Sequence, residues 1–281
     1  MKNVLTIAGS DTCGGAGIQA DLKTFSANGT YGMSVITAVT VQNTQGVFGC
    51  QDISPEIIKG QIDAIFEDIK VSAVKIGMVS NIDAINVIAD RLEFYKPKNI
   101  VIDPVMISKH GFDLLNPEAK ESLIKRLIPL AYLLTPNIPE AEVISGIKIK
   151  SIEDMERVAK EIYKMGCKNV FLKGGHLEGD AIDILFDGES IKMFKTARIE
   201  TKNTHGTGCT ISSAIASNLA NGMSVYDAVK RAKEYITVAI EHSLDIGKGI
   251  GPTNHFYELF DKAGLRYEWF FKKFLLGFKW S

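Results

Sequence analysis

Val4-Leu5-Thr6-Ile7-Ala8-Gly9-Ser10-Asp11 runs through a glycine cluster, Cys13-Gly14-Gly15-Ala16-Gly17, into Ile18-Gln19-Ala20-Asp21-Leu22-Lys23-Thr24-Phe25. The first run reads as a short apolar strand. In the second, Ile18, Leu22 and Phe25 fall at i, i+4 and i+7, one face of a helix, and Gly29 offers a C-terminal stop. Strand, glycine turn and amphipathic helix form the repeating unit of an α/β sheet. The cluster lacks Gly-x-Gly-x-x-Gly spacing, and the P-loop pattern Gly-x4-Gly-Lys-Ser/Thr occurs nowhere. These glycines instead suit a close backbone approach to a small planar ligand; a plain tight turn with a solvated Asp21 is the alternative.

The alternation continues outward from this unit. Further strands are expected at residues 35–41, 73–76, 99–102, 132–134, 170–172, 182–186 and 191–194. Apolar stripes at Ile57, Ile58, Ile62, Ile65 and Phe66, and at Ile82, Ile85, Ile88, Ala89 and Leu92, mark two helices between them. Ser151 with Asp154 resembles a capping box opening another helix that runs to about Gly166. Such alternation predicts a mostly parallel sheet covered on both faces. No repeat or low-complexity linker interrupts residues 1–260, so one domain is expected there. Residues 261–281 form an aromatic, basic tail.

Composition narrows the function classes. The 281 residues are 46% hydrophobic and 23% charged, as in an ordinary folded protein. A net charge of -1 offers no field to gather nucleic acid or an anionic membrane, so neither is an expected partner. Cys13, Cys50, Cys167 and Cys209 have no paired spacing, and the five histidines no metal-ligand spacing. The amino terminus is too short in apolar length for a signal peptide, and no apolar run reaches membrane-spanning length. A cytoplasmic protein is expected.

Successive strands deliver polar or glycine-rich turns to one sheet edge, where open α/β sheets bind ligands. Gln42 ends what reads as a strand buried on both sides, and its amide can donate and accept at a heterocycle edge. Asp103 follows Ile100-Val101-Ile102 and is placed to hold magnesium directly or through water. Asn137 and Glu140, at i and i+3, would add oxygen ligands or form an N-cap and its box. Lys173 emerges before Gly174-Gly175 and suits a phosphate; a snorkelling strand-end lysine is the plain alternative. His176 and His205 are weaker signals.

Finally, Asn203-Thr204-His205-Gly206-Thr207-Gly208-Cys209-Thr210 opens a small-residue helix. Its unpaired N–H groups and positive dipole end make an anion site with a thiol at the tip, whose pKa is expected to fall there.

Laid out together, these strings resemble the bacterial hydroxymethylpyrimidine/phosphomethylpyrimidine kinase family of thiamine biosynthesis, a branch of the ribokinase superfamily. Lys75-Ile76-Gly77-Met78, Asp103-Pro104-Val105-Met106 and Gly247-Lys248-Gly249-Ile250-Gly251-Pro252 add to the likeness, which covers about residues 1–260 in order. The resemblance implies an α/β, ribokinase-like three-layer sandwich. It also implies ATP- and Mg2+-dependent phosphorylation of 4-amino-5-hydroxymethyl-2-methylpyrimidine and then of its monophosphate. By that likeness Gly9, Asp21, Gln42 and Met78 line the pyrimidine pocket. Asp103 and Glu140 attend the metal, and Lys173, Asn137, Glu140 and Thr204 attend ATP phosphates. Gly206, Thr207, Gly208 and Cys209 form the anion hole, with Cys209 where most ribokinase relatives carry an aspartate base. Gln42-Asn43-Thr44 favours the pyrimidine over pyridoxal, the substrate of a sister branch. A homodimer is expected. A non-catalytic pyrimidine sensor and a dinucleotide oxidoreductase are the remaining rivals; intact Asp103, Lys173 and Cys209 disfavour the first, and the missing fingerprint the second. His110-Gly111-Phe112 and the tail with Trp269 and Trp280 depart from the family pattern. The tail reads as a helix packed on the domain or on a dimer partner, or as an interfacial segment.

Overall fold

The computed structural model describes residues 1–106, 117–175, 177 and 179–265. The string at 110–112, His176 and the tail beyond 265 lie outside the described residues.

β1 (Lys2–Ala8) leads through the glycine cluster into α1 (Gly17–Ala27) and β2 (Thr30–Ile36). A hairpin of β3 (Ala38–Asn43) and β4 (Gly46–Asp52) precedes α2 (Pro55–Asp68), β5 (Ala73–Ile76), α3 (Ile82–Tyr95) and β6 (Ile100–Ile102). Then come α4 (Pro117–Ser122), β7 (Leu133–Leu134), α5 (Ile138–Ser145), α6 (Ile152–Tyr163) and β8 (Val170–Leu172). β9 (Ala181–Phe186), β10 (Ile191–Thr196), α7 (Thr207–Ala220), α8 (Val225–Glu241) and α9 (Tyr257–Lys262) follow among the described residues.

Among the described residues, eight strands form one sheet in the order β10-β9-β8-β7-β6-β5-β1-β2. From β2 to β8 the pairings are parallel, and β9 pairs antiparallel to both its neighbours. The chain leaves β1 toward β2 on one side and returns to β5 on the other, so the sheet switches direction at β1, where a crevice forms.

The period-2 alternation of the strands divides the core. Leu5, Ile7, Val74, Ile76, Ile100 and Ile102 meet Ile62 of α2, Ile85 and Ile88 of α3, and Val158 and Ile162 of α6. Val4, Ala73, Val101, Leu133 and Phe171 face the other way, onto Ile211, Ala214 and Ile215 of α7. Each fully buried side chain such as Ile102, with 0% exposure, stabilises the fold by roughly 1.5–3 kcal/mol. α7 lies on β1, β5 and β6 between α1 and α8, and every residue from Thr210 to Ala220 is buried. Its run of Ser and Ala permits that close approach. The result is the three-layer α/β arrangement that the alternation predicts.

The expected strand at 35–41 is a correction. The chain breaks at Thr37, where β2 ends and β3 turns away to pair with β4 in a separate two-stranded sheet. Thr37 is the anchor of that bend: its N–H donates to Ala8 O at 3.0 Å and its hydroxyl to Met78 O at 2.8 Å. Val39 and Val41 are 47% and 62% exposed, so the strand carrying Gln42 is not buried on both sides. No helix among the described residues is long and apolar enough to cross a membrane.

Candidate active site

The loop after β1 is folded around one carboxylate. Asp11 Oδ1 accepts from the Cys13 N–H at 3.0 Å, and Oδ2 from the N–H groups of Gly15 and Ala16 at 2.9 and 2.7 Å. His205 Nε2 lies 2.8 Å from the same Oδ2. Burial opposes this charge, but the hydrogen bonds from His205 and Cys13 outweigh it and hold the carboxyl well below the usual carboxylate range. Burial and Asp11 together push the Cys13 thiol up to about 11. His205, a weak signal in the sequence, therefore ties the glycine loop to the 203–210 turn. Asp11, Cys13 and His205 bring their ligand atoms within 4.8 Å of one another, yet the carboxylate is already filled by these donors.

Gly9 and Met78 meet at the sheet edge: a Cβ on Gly9 would collide with the Met78 methyl. Gln42 comes from the hairpin instead of the main sheet. Its amide has only long contacts, 3.4 Å to His205 Nε2 and 3.4 Å to Thr40 Oγ1, so its hydrogen-bonding edge is available to a ligand. Asp21 is not brought to this wall. It is fully buried behind it, bonded to Thr6, Lys75 and Ser213.

Asp103 emerges where β6 ends, its N–H held by Ile76 O at 2.9 Å. Its Oδ1 pairs with Lys173 Nζ at 2.9 Å. Burial works against the charge of Lys173, but Asp103 and Glu140 outweigh it and raise the ammonium above its ordinary value. Asn137 and Glu140 do form a capping box: Glu140 N–H donates to Asn137 Oδ1 at 2.9 Å and Asn137 N–H to Glu140 Oε2 at 2.8 Å. Burial, with Lys173 opposing and Asp103 adding, pushes the Glu140 carboxyl up to about 7. The box does not remove Glu140 from the site, since its carboxyl still borders the cavity.

α7 starts at Gly206, whose φ of 78° is left-handed, and no side chain caps the helix. A Cβ on Gly206 would strike the carbonyl of Gly15, so only glycine lets the two loops close on each other. A Cβ on Gly208 would stand 3.3 Å from Asp103 Oδ2 and 3.5 Å from Lys173 Nζ. The first turn of α7, with the positive end of its dipole, thus stands against the Asp103–Lys173 pair at Gly208. The expected fall in the Cys209 pKa is overturned: burial pushes the thiol up to about 11, with Lys75 acting against it and Asp21 and Asp103 with it. The helix end supplies positive potential, but loss of solvent outweighs it.

Gly9, Gln42, Met78, Asp103, Asn137, Glu140, Lys173, Thr204, Gly206, Thr207, Gly208 and Cys209 line one cavity of about 740 Å³. Its far half was not read from the sequence. Asp183 stands there, accepting from Gly174 N–H at 2.8 Å and pairing with Lys233 at 2.5 Å. Arg198 donates to the carbonyls of Gly175, Leu177 and Gly179, and with Thr237 it borders the same space. A polar Asp183 in the middle of an apolar strand was the available signal.

The phosphomethylpyrimidine kinase profile matches residues 11–254. The "Thiamine biosynthesis bifunctional protein ThiED" of Geobacter sulfurreducens is 51% identical over 254 residues, 90% of this chain, but the match spans only 52% of that longer protein. A hydroxymethylpyrimidine/phosphomethylpyrimidine kinase of Rhizobium meliloti is 51% identical over 257 residues, covering 90% of this chain and 96% of its own. Among solved structures, a phosphomethylpyrimidine kinase from Clostridium difficile 630 superposes with a TM-score of 0.78 at 58% identity, covering 85% of this chain and 100% of that one. A Bacillus subtilis pyridoxal kinase in complex with ADP gives a TM-score of 0.86 at 40% identity, over 91% of this chain and 98% of its own. The profile match, the sequence identities and the fold agree, and the chain belongs to the phosphomethylpyrimidine kinase family.

Proposed function

We propose that the chain transfers the γ-phosphoryl group of ATP to the hydroxymethyl oxygen of 4-amino-5-hydroxymethyl-2-methylpyrimidine, and then phosphorylates that monophosphate to the diphosphate. The observation that carries this reading is the single cavity joining Gln42 and Met78 to the uncapped start of α7 and the Asp103–Lys173 pair. The Gly9, Gln42 and Met78 end takes the aminopyrimidine, with the Gln42 amide at its donor and acceptor edge. The Asp183, Arg198 and Thr237 end takes the nucleoside of ATP, and Lys173 and Thr204 attend its phosphates.

Chemistry at the junction is positioning and charge. In the first transfer the substrate oxygen bonds to Pγ while the bond to the bridging oxygen breaks and its electron pair leaves with ADP. The substrate proton passes to Cys209, acting as a thiolate. Amides of residues 206–209 hold the charge on the moving group. In the second transfer the nucleophile is a phosphate oxygen already largely ionised near neutral pH, so Cys209 has little to do.

Asp103 and Glu140 fit a magnesium ion. They offer hard oxygen donors, and Glu140 is pushed up to about 7 by burial and by Asp103, a strain that a cation would relieve. When bound, the ion supplies charge neutralisation on the donor phosphate oxygens. A homodimer and a cytoplasmic location belong to the same proposal; a purely monomeric species in equilibrium sedimentation would remove the former.

A substrate panel tests the function. ADP release should be strong with the aminopyrimidine and weak with pyridoxal and sugars. Pyridoxal turning over faster would reassign the substrate, and pyrimidine binding without ADP release would make the chain a sensor.

A further inference from the structure

Lys75 and its partner Asp21 are a fully buried ion pair, each side chain 0% exposed, beneath the site. Asp21 Oδ2 accepts from Lys75 Nζ at 2.9 Å and Thr6 Oγ1 at 2.6 Å, and Oδ1 from Ser213 Oγ at 2.6 Å. Three donors fill the carboxylate. The Lys75 side chain runs along β5 toward its carboxyl end: a Cβ on Gly77 would stand 2.7 Å from Nζ. β5 packs against α7. Ser213 and Cys209 are four residues apart on one face of α7, so Cys209 stands one turn nearer the cavity than the serine that holds Asp21. Asp21 compensates this buried cation, and Cys209 and Asp103 lie near enough to act on it electrostatically as well.

We propose that Lys75 is a positioning residue for the first phosphoryl transfer: its ammonium, held by the Asp21 carboxylate that Thr6 and Ser213 in turn anchor, stabilises the Cys209 thiolate that receives the substrate proton. The proposal rests on Cys209 being the base. Cys209 first loses its thiol proton to water in the cavity. The thiolate then takes the hydroxymethyl proton as the O–Pγ bond forms and the electron pair of the broken bond leaves with ADP.

The charged groups around Cys209 are Lys75 from β5, Asp21 from α1, Asp103 at the end of β6 and Lys173 at the end of β8, with the Gly17 N–H adding a hydrogen bond. Burial works against the charge of Lys75, but Asp21, Cys209 and Asp103 outweigh it, so the ammonium persists. Lys75 and Asp21 therefore act on the thiolate with opposite signs.

The test is the pH dependence of kcat/KM for each step in the parent, Lys75→Met, Asp21→Asn and Cys209→Ser. With a thiolate as the active form, the first step rises with pH below the thiol's value. Lys75→Met should move this rising limb about one pH unit to the alkaline side, a roughly 10-fold loss at fixed pH. Asp21→Asn should move it to the acid side, a gain at the same pH. The second step should shift in neither variant. Loosened packing moves both variants the same way, so opposite shifts support the proposal. An unmoved limb in both, or equal losses in both steps, overturns it. If Lys75→Met does not fold, Asp21→Asn decides: an acid shift supports the proposal, and no shift or an alkaline one overturns it. Cys209→Ser separates the two readings. If it keeps the full first-step rate, the assignment of Cys209 fails and the proposal with it. If it abolishes the limb while the other variants leave it unmoved, Lys75 alone is misassigned.

Discussion

Lys173 Nζ lies 2.9 Å from Asp103 Oδ1, and the bare α-carbon of Gly208 faces both across the cavity wall. The carboxylate and the cation, 70 residues apart, thus converge from the ends of two strands on the start of α7.

Lys173→Met should slow both phosphorylations by roughly 10²–10³-fold and raise the ATP requirement, because one charge on the donor phosphates is lost. It also leaves Asp103 buried without its cation. Steady-state kinetics for each step at limiting ATP check this; parental values in both steps would make Lys173 a strand-end lysine and nothing more.

Gln42→Leu should weaken pyrimidine binding by about 1–3 kcal/mol, roughly 5- to 150-fold, with ADP affinity unchanged. Calorimetry with each ligand separately is the measurement. Unchanged pyrimidine affinity rejects the assignment of Gln42.

Gly206→Ala should destabilise the fold by more than the roughly 1–2 kcal/mol that a left-handed alanine costs, since its Cβ also strikes the Gly15 carbonyl. A thermal melt should show a Tm several degrees lower, with turnover falling as the two loops separate. An unchanged Tm would contradict the close contact.

Glu140 makes stability depend on pH. Its folded value of about 7 lies above the ordinary 4.5, so between these pH values the folded chain binds more protons than the unfolded one. Its contribution is fully present below about pH 4.5 and is lost as pH rises through about 7. The loss is on the order of 3 kcal/mol. Glu140→Gln keeps an oxygen for the capping box and should flatten this part of the profile in urea titrations without magnesium or nucleotide. A parental slope in the variant would show that another group carries it.

Much of the fold was legible because β6 and β8 are buried on both faces and read as short unbroken apolar runs, and β5 is interrupted only by Lys75. The same property hid the break at Thr37, since an unbroken run of β-branched and small residues carries no mark of where a strand changes sheets. Asp21 falls three residues after Ile18 and four before Phe25, on the buried stripe of α1, a periodicity that places it inward and that neither a pocket-lining nor a solvated Asp21 takes into account. For Cys209 the sequence revealed the helix dipole but not the desolvation that outweighs it. Arg198, Lys233 and Thr237 share no motif; only the folding of β9, β10 and α8 against each other gathers them at the far half of the cavity.

A chemical-quench time course with ATP labelled in its γ-phosphate, resolving pyrimidine mono- and diphosphate, tests most directly the claim that one cradle serves both transfers. In the parent, label should appear first in the monophosphate and then in the diphosphate. Cys209→Ser, which keeps the backbone amides, should slow the first transfer on the order of 10²–10⁴-fold and the second far less. Absence of label from the pyrimidine at every stage, or equal slowing of both transfers, would contradict the account.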